Sequence, residues 1–469
     1  MKLKVSNLGR IKSAELEIKP FTVFIGKNNT NKTWTAYALY GLLRDISTSI
    51  GVGVGYRSET ARLSVFADYL NRTTSANSSQ VLKSMATESE DSISVVVSRD
   101  DLLRGLKLPL EVSLKLQGAA LARTLAVPEE DLSESFTDLL LPRDEFLQNG
   151  TIRRLVITRF PPTGELTVSA LGTAEGEPMF RESWRDSTGA TNRDQGRATV
   201  ESWLSRMLVS TKQRVIALPA ERKALVAFSP LFLERSMTRD LSAIYNEPTA
   251  DFINLLRLLW YVRPKLTESA INTASSVLEH QVLGGSVSSS RADKGGATFE
   301  YFASDGPKLR MHAVASLVRS LAGLDMILRH LAVPGDVLVI DEPEMNAHPE
   351  AQLQLVELFA MLVNAGLEIV VTTHSPYFVD HLNNMMAAGA KSRKAQAKLA
   401  GETKLGSADA FLAPDKVAAY LFQEDGEVKD IVDDGIIDVK SFADESDYVA
   451  NLYSKIASVE NGAGEHGLS

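Results

Sequence analysis

Val337-Leu338-Val339-Ile340-Asp341-Glu342-Pro343-Glu344 decides how the chain is read. Four consecutive apolar residues with no alternation describe a strand buried on both faces, as in a parallel sheet covered by helices. The run stops at three carboxylates around one proline. Acidic groups at the exit of such a strand stand where open α/β sheets place their ligands. One carboxylate there can hold a divalent metal, and the next can take a proton from water.

A partner segment opens the chain. Phe21-Thr22-Val23-Phe24-Ile25 is a second buried run, followed by Gly26-Lys27-Asn28-Asn29-Thr30-Asn31-Lys32-Thr33 and the helix-like Trp34 to Leu43. Strand, small polar loop, Lys-Thr and helix is the context of a phosphate-binding loop. Backbone N–H groups of Gly26, Asn28, Asn29, Thr30 and Asn31 would point at phosphate oxygens. Lys32 would reach the β- and γ-phosphates, and the Thr33 hydroxyl would bind Mg²⁺. The pattern G-x-x-x-x-G-K-[ST] is broken once, since its second glycine is Asn31. Asn is the side chain that best tolerates left-handed backbone, so the loop can still form.

A third element, Ile369-Val370-Val371-Thr372-Thr373-His374-Ser375-Pro376, is a buried run ending in histidine. One helix separates it from the acidic strand, so His374 should emerge on the same sheet edge and face a γ-phosphate or its attacking water.

Gly26 to Thr33, Asp341 to Glu344, Asn346-Ala347-His348-Pro349 and Thr373 to Pro376 resemble the Walker A, Walker B, D-loop and H-loop of ABC-type ATPases of the SMC-like and OLD-like branch. The resemblance spans about residues 1–45 and 210–460. It implies an α/β fold: an ABC-type head with a mixed sheet, a P-loop core and a helical lobe, carrying an inserted α+β region. Ala315-Ser316-Leu317-Val318-Arg319-Ser320-Leu321 stands where that family has its signature helix, which leaves Ser316 as the γ-phosphate contact. Arg222, in Pro219-Ala220-Glu221-Arg222, sits near the family's Q-loop; it reads as a nucleotide-site residue or equally as an arginine capping a helix end. By the same likeness Asp341 stabilises the metal, Glu342 deprotonates water and His374 polarises the γ-phosphate. The cofactors implied are ATP and Mg²⁺. Because a signature serine covers the nucleotide of another copy, the resemblance implies a homodimer or higher oligomer joined through a nucleotide sandwich. Arg10 and Lys12 fall where the family cradles adenine, and read as well as surface charges of a hairpin.

The chain has 469 residues, enough for two or three domains. The expected division is 1–45, an ATPase N-terminal half; 46–210, an inserted helical and β region; 211–384, the C-terminal half; and 385–469, a linker, hairpin and helix. Net charge of −9 argues against wholesale coating by nucleic acid but allows a local groove. Absence of cysteine excludes disulfides, zinc–thiolate sites and cysteine nucleophiles. Met1 leads directly into a strand and no apolar run approaches a membrane span, so a cytoplasmic protein with no membrane partner is expected.

Within residues 46–210, Ile46–Tyr56, Asn71–Gln80 and Gly172–Gly196 read as loops, Asp101 to about Gln148 as a mix of Leu-rich helical periods and acidic turns, and Thr151–Phe160 with Glu165–Ala170 as a hairpin around Pro161–Gly164. Residues 228–282 have helical period, Gly284–Gly296 reads as a Gly/Ser loop, and Thr298–Phe302 as a short strand. Ala387–Thr403, with Lys391, Arg393, Lys394 and Lys398, reads as a solvated helix face in preference to a nucleic-acid patch. Val417–Gln423 and Glu427–Val432 form a second hairpin, and Asp444–Val459 an amphipathic tail helix with Tyr448, Leu452 and Ile456 on one face. Asp430, Asp433 and Asp434 read as a solvated turn, in a stretch too short for a Toprim nuclease. The likeness thus implies an ATPase sensor or scaffold subunit of an anti-phage system, PARIS-like or Septu-like, with a phage-derived trigger and a toxic effector, a nuclease such as a Toprim enzyme, on a separate protein. Two rival readings are a self-contained ATP-dependent nuclease and a DNA-repair or chromosome clamp.

Overall fold

The structure is a computed structural model and describes residues 1–49, 86–88, 93–98, 111–142, 154–160, 165–171, 180–185, 214–227, 241, 244–261, 269–291, 297–438, 448 and 450–456. Its centre is a six-stranded mixed sheet in the order Val215–Leu218, Val337–Asp341, Glu368–Thr373, Phe21–Gly26, Val417–Phe422, Val428–Asp430. The first five strands run parallel and the last is antiparallel. Register aligns Asp341 with Thr372, Thr373 with Ile25, and Gly26 with Phe422, so the acidic strand, the histidine strand and the phosphate-loop strand all end on one edge.

The unbroken apolar runs are explained by what covers each face. Leu338, Ile340, Ile369, Val371, Val23 and Ile25 enter one core. There they meet the helices Glu247–Tyr261, Ala270–Val277, Ser316–His330, Pro349–Asn364 and Pro376–Gly389. Their strand neighbours Val337, Val339, Val370 and Phe24 enter a second core with the helix Lys32–Ser49. Both faces are dry, so alternation has no polar side to show.

A four-stranded antiparallel sheet closes the second core, in the order Ile11–Glu17, Lys2–Leu8, Phe136–Pro142, Glu111–Gln117. Part of the stretch 46–210 therefore builds directly on the N-terminal hairpin. Within the described residues 111–142 this corrects the helical part of that reading: among them only Gly118–Leu125 is α-helical, and Glu111–Gln117 alternates polar with Val112, Leu114 and Leu116, a strand period the leucine content hid. A separate five-stranded sheet has the order Phe180–Arg185, Glu165–Leu171, Arg154–Phe160, Ile93–Ser98, Ala86–Glu88. It contains the expected hairpin strands, and it places a strand at Phe180–Arg185 inside the stretch read as a loop.

Gly285–Arg291, expected as loop, is also a strand. All seven of its residues pair with Ala297–Ala303, and Val287, Phe299 and Tyr301 are buried together, so tertiary pairing overrides its weak serine propensity. The C-terminal hairpin forms as expected, and its first strand additionally joins the central sheet beside Phe21–Gly26. Residues 393–399 are a short exposed helix, and residues 450–456 are helical with Leu452 and Ile456 exposed. The helix Lys32–Ser49 runs through 46–49, the start of the stretch Ile46–Tyr56 expected as a loop, while residues 50–56, the expected loop 71–80 and the expected turn 161–164 lie outside the described residues. No described helix is long and apolar enough to cross a membrane.

Candidate active site

The phosphate loop is shaped by its backbone. Gly26 has φ +149°, and a methyl there would come 2.3 Å from the carbonyl oxygen of Phe422 in the next strand, so only glycine fits. Asn29 and Asn31 take left-handed φ of +62° and +67°, so the residue replacing the second glycine adopts the conformation glycine would supply. Asn28 and Asn29 are exposed at the loop tip, while Thr30 is buried and its hydroxyl donates to the Lys27 carbonyl at 2.9 Å. Lys32 folds back into the loop and donates through Nζ to the carbonyls of Gly26 (2.8 Å) and Lys27 (2.7 Å). Burial lowers its pKa to about 8 against the pull of Glu342, Asp341 and Glu344.

Thr33, one residue on, donates its hydroxyl to Asp341 Oδ1 at 2.9 Å, joining the two expected metal ligands across 308 positions of sequence. The Thr372 hydroxyl donates to the same oxygen, and Tyr37 OH to Oδ2 at 3.3 Å. Burial raises the Asp341 pKa, opposed by the hydrogen bonds from Thr372 and Thr33 and by Arg222. A carboxylate beside a hydroxyl suits Mg²⁺, a hard cation that keeps several waters and takes one or two carboxylates plus phosphate oxygens. Among the described residues no group of three His, Asp or Glu side chains is arranged to hold a metal ion by itself.

Glu342 leaves the strand with φ +47°, an uncommon conformation for glutamate. Its surroundings enforce it. The Glu342 N–H donates to Thr372 O and Thr372 Oγ1, each at 3.1 Å, and its carbonyl accepts from Arg222 Nη2 at 2.8 Å. The turn swings the carboxylate towards His374, whose Nε2 lies 3.0 Å from Glu342 Oε1. Both side chains keep 30% exposure, enough for water to reach them. The hydrogen bond with His374, strengthened by Coulomb attraction from His374 and Lys32, lowers the Glu342 pKa and keeps it ionised near neutrality.

Glu344 sets the histidine from behind. Its Oε1 accepts from the His374 N–H at 2.8 Å and from Thr373 Oγ1 at 2.6 Å. Ser375 caps the following helix by accepting from the Phe378 N–H at 3.1 Å.

Residues 239–379 match the AAA ATPase domain. The match supports an ATPase of that type and contains Ser316, the acidic strand and His374, while the phosphate loop lies outside it and joins it through the sheet and the Thr33–Asp341 bond. No curated protein matches the chain. Among solved structures, an Smc head bound to the C-winged helix domain of ScpA is 12% identical, with 92% of this chain and 96% of that chain covered and a TM-score of 0.35. An Smc head with an extended coiled coil bound to the C-terminal domain of ScpA, from Pyrococcus furiosus, is 12% identical over 92% and 95% at a TM-score of 0.32. An SMC head domain from Thermotoga maritima is 9% identical over 81% and 90% at 0.26.

Not every expected site residue faces the phosphate loop. Arg222 is 1% exposed and donates to four backbone carbonyls: Pro219 (3.0 Å), Ser320 (3.0 Å), Asp341 (2.6 Å) and Glu342 (2.8 Å). It thus holds the strand end that carries the carboxylates. Ser316 opens the helix Ser316–His330, where Ala315 at the N-cap offers no capping side chain; its hydroxyl accepts from Arg319 Nη2 at 3.2 Å. Sequence reasoning missed Tyr37 and the role of Glu344. Tyr37 lies four positions after Thr33 on one helix face, a spacing that could have flagged it. Glu344 was legible only as one of three carboxylates at the strand exit, and its bonds to Thr373 and His374 come from the neighbouring strand.

Proposed function

We propose that this chain binds ATP with Mg²⁺ and hydrolyses it between head-to-tail copies, as the sensor or scaffold subunit of an anti-phage complex whose toxic effector is a separate protein. The observation that carries the ATPase reading is the convergence of Lys32, the Thr33–Asp341 pair and the Glu342–His374 pair on one sheet edge. Lys32 would exchange two carbonyls for β- and γ-phosphate oxygens. Thr33 and Asp341 would hold Mg²⁺, which would supply neutralisation of the phosphate charge. Glu342, ionised and held by His374, would take the proton of the attacking water, and the histidine, protonated, would donate to the γ-phosphate. Ser316 and the uncapped first turn of its helix form an anion-binding end that a second copy can present to the nucleotide.

Two variants test this. Replacing a general base costs about 10²–10⁴-fold in rate, so Glu342→Gln should stop turnover and leave an ATP-loaded dimer visible by light scattering. Lys32→Ala should lose nucleotide binding. Turnover of Glu342→Gln at the unmutated rate ends the assignment.

The defence role rests on motif resemblance, and is tested by expressing the chain with and without its neighbouring gene in phage-challenged cells. Protection requiring both genes and an intact Lys32 supports it; protection by this chain alone, or none, overturns it.

A further inference from the structure

Asn31 is where the chain departs from the phosphate-loop pattern, and its side chain has a precise seat. Its Oδ1 accepts the backbone N–H of Arg10 at 2.9 Å, across 21 positions of sequence. Arg10 stands in the turn between the strands Lys2–Leu8 and Ile11–Glu17. The residue before it, Gly9, has φ +58°, and a methyl there would come 2.2 Å from Asn31 Nδ2 and 2.6 Å from Asn31 Cγ. The hairpin therefore has a hole where the asparagine lies. On the far side, Arg10 Nη1 donates to the carbonyl of Glu424, in the turn after Val417–Phe422. Asn31 also begins the next helix: its carbonyl accepts from the Thr35 N–H (3.0 Å) and hydroxyl (2.9 Å). Lys32 and Thr33 follow at once, so whatever fixes residue 31 fixes them.

We infer that the Asn31 side chain is a latch fastening the phosphate loop to the Gly9–Arg10 turn, which makes Asn31 a positioning residue for bound nucleotide; this rests on the reading of Lys32 and Thr33 as the groups that meet phosphate and metal. Glycine at 31 would satisfy the left-handed backbone and surrender the bond. Restoring the glycine of the motif should therefore weaken the site.

The test is a double-mutant cycle on the full chain with Asn31→Gly, Gly9→Ala and the pair, reading steady-state hydrolysis, binding of a non-hydrolysable ATP analogue, and thermal melting. Losing one hydrogen bond predicts that Asn31→Gly raises KM and analogue Kd by about five- to tenfold, with kcat changed less than about twofold. A purely structural role would lower the folded fraction, and so the maximal rate, without moving KM. Gly9→Ala should act in the same direction, and the double variant should fall well short of the summed effects because the colliding asparagine is gone. Analogue binding by Asn31→Gly as tight as the parent, or strictly additive effects, overturns the latch. If the parent binds no ATP, the nucleotide reading fails, and the melts still decide the latch: non-additive shifts keep it and additive shifts remove it.

Discussion

Replacing Arg222 by Met removes a guanidinium that the protein has surrounded with carbonyls while keeping an unbranched side chain of similar reach. Four charge-assisted bonds at about 1.5–3 kcal/mol each give a gross of about 6–12 kcal/mol, against a desolvation cost of several kcal/mol for burying the ion. Two acceptors keep another donor, since Pro219 O still receives the Arg222 N–H and Glu342 O the Met345 N–H. The net loss is therefore below that gross range, about 3 kcal/mol, which lowers the melting temperature by about 6–12 °C for a cooperative unit of about 150–250 residues. The Asp341 and Glu342 carbonyls would then be released from their clamp. Glu342, no longer held at φ +47°, relaxes away from His374, and kcat falls at least about tenfold with a smaller change in KM. Arg222→Lys, which keeps the charge but loses the planar fork, should recover part of the melting temperature and little of the rate. Melting by calorimetry and steady-state hydrolysis are the assays. A Met variant that melts within about 2 °C of the parent and turns over normally would show that the clamp does not support the site.

Lys32 sits at about pKa 8 because burial outweighs its carboxylate neighbours, so ATP affinity should weaken as pH rises past 8 and binding should take up a proton there; affinity flat across that range in calorimetry with two buffers argues against it. Glu344→Ala frees the His374 N–H and the Thr373 hydroxyl and should lower kcat about tenfold while sparing analogue binding, whereas a kcat equal to the parent's would remove Glu344 from the machinery. Asp325, buried beside Arg329 and Glu279, has a folded pKa raised from 3.8 to about 7, so the folded chain holds an extra proton between those values. Stability from that proton is lost as pH rises through this window, and Asp325→Asn should flatten the fall in melting temperature between pH 5 and 7. Identical slopes for the two proteins would contradict this.

Three stretches were legible in the sequence because each combines a dry strand with polar residues that a dry strand does not need. Ile25 into Gly26, Ile340 into Asp341 and Val371 into His374 mark changes of environment that a one-dimensional pattern records directly. The same pattern could show that Asn31 tolerates its place, since backbone conformation is a local property. It could not show that Asn31 fills a hole above Gly9, that Arg222 spans to carbonyls about 120 positions away, or that Val417–Phe422 lies beside the phosphate loop. Glu111–Gln117 and Gly285–Arg291 were misjudged for a related reason: their strand state is settled by the partner each one pairs with. Residue type and spacing fix which groups can do the chemistry, because they depend on the chain alone. Which groups hold them in place depends on contacts between distant segments, and only the folded chain chooses those.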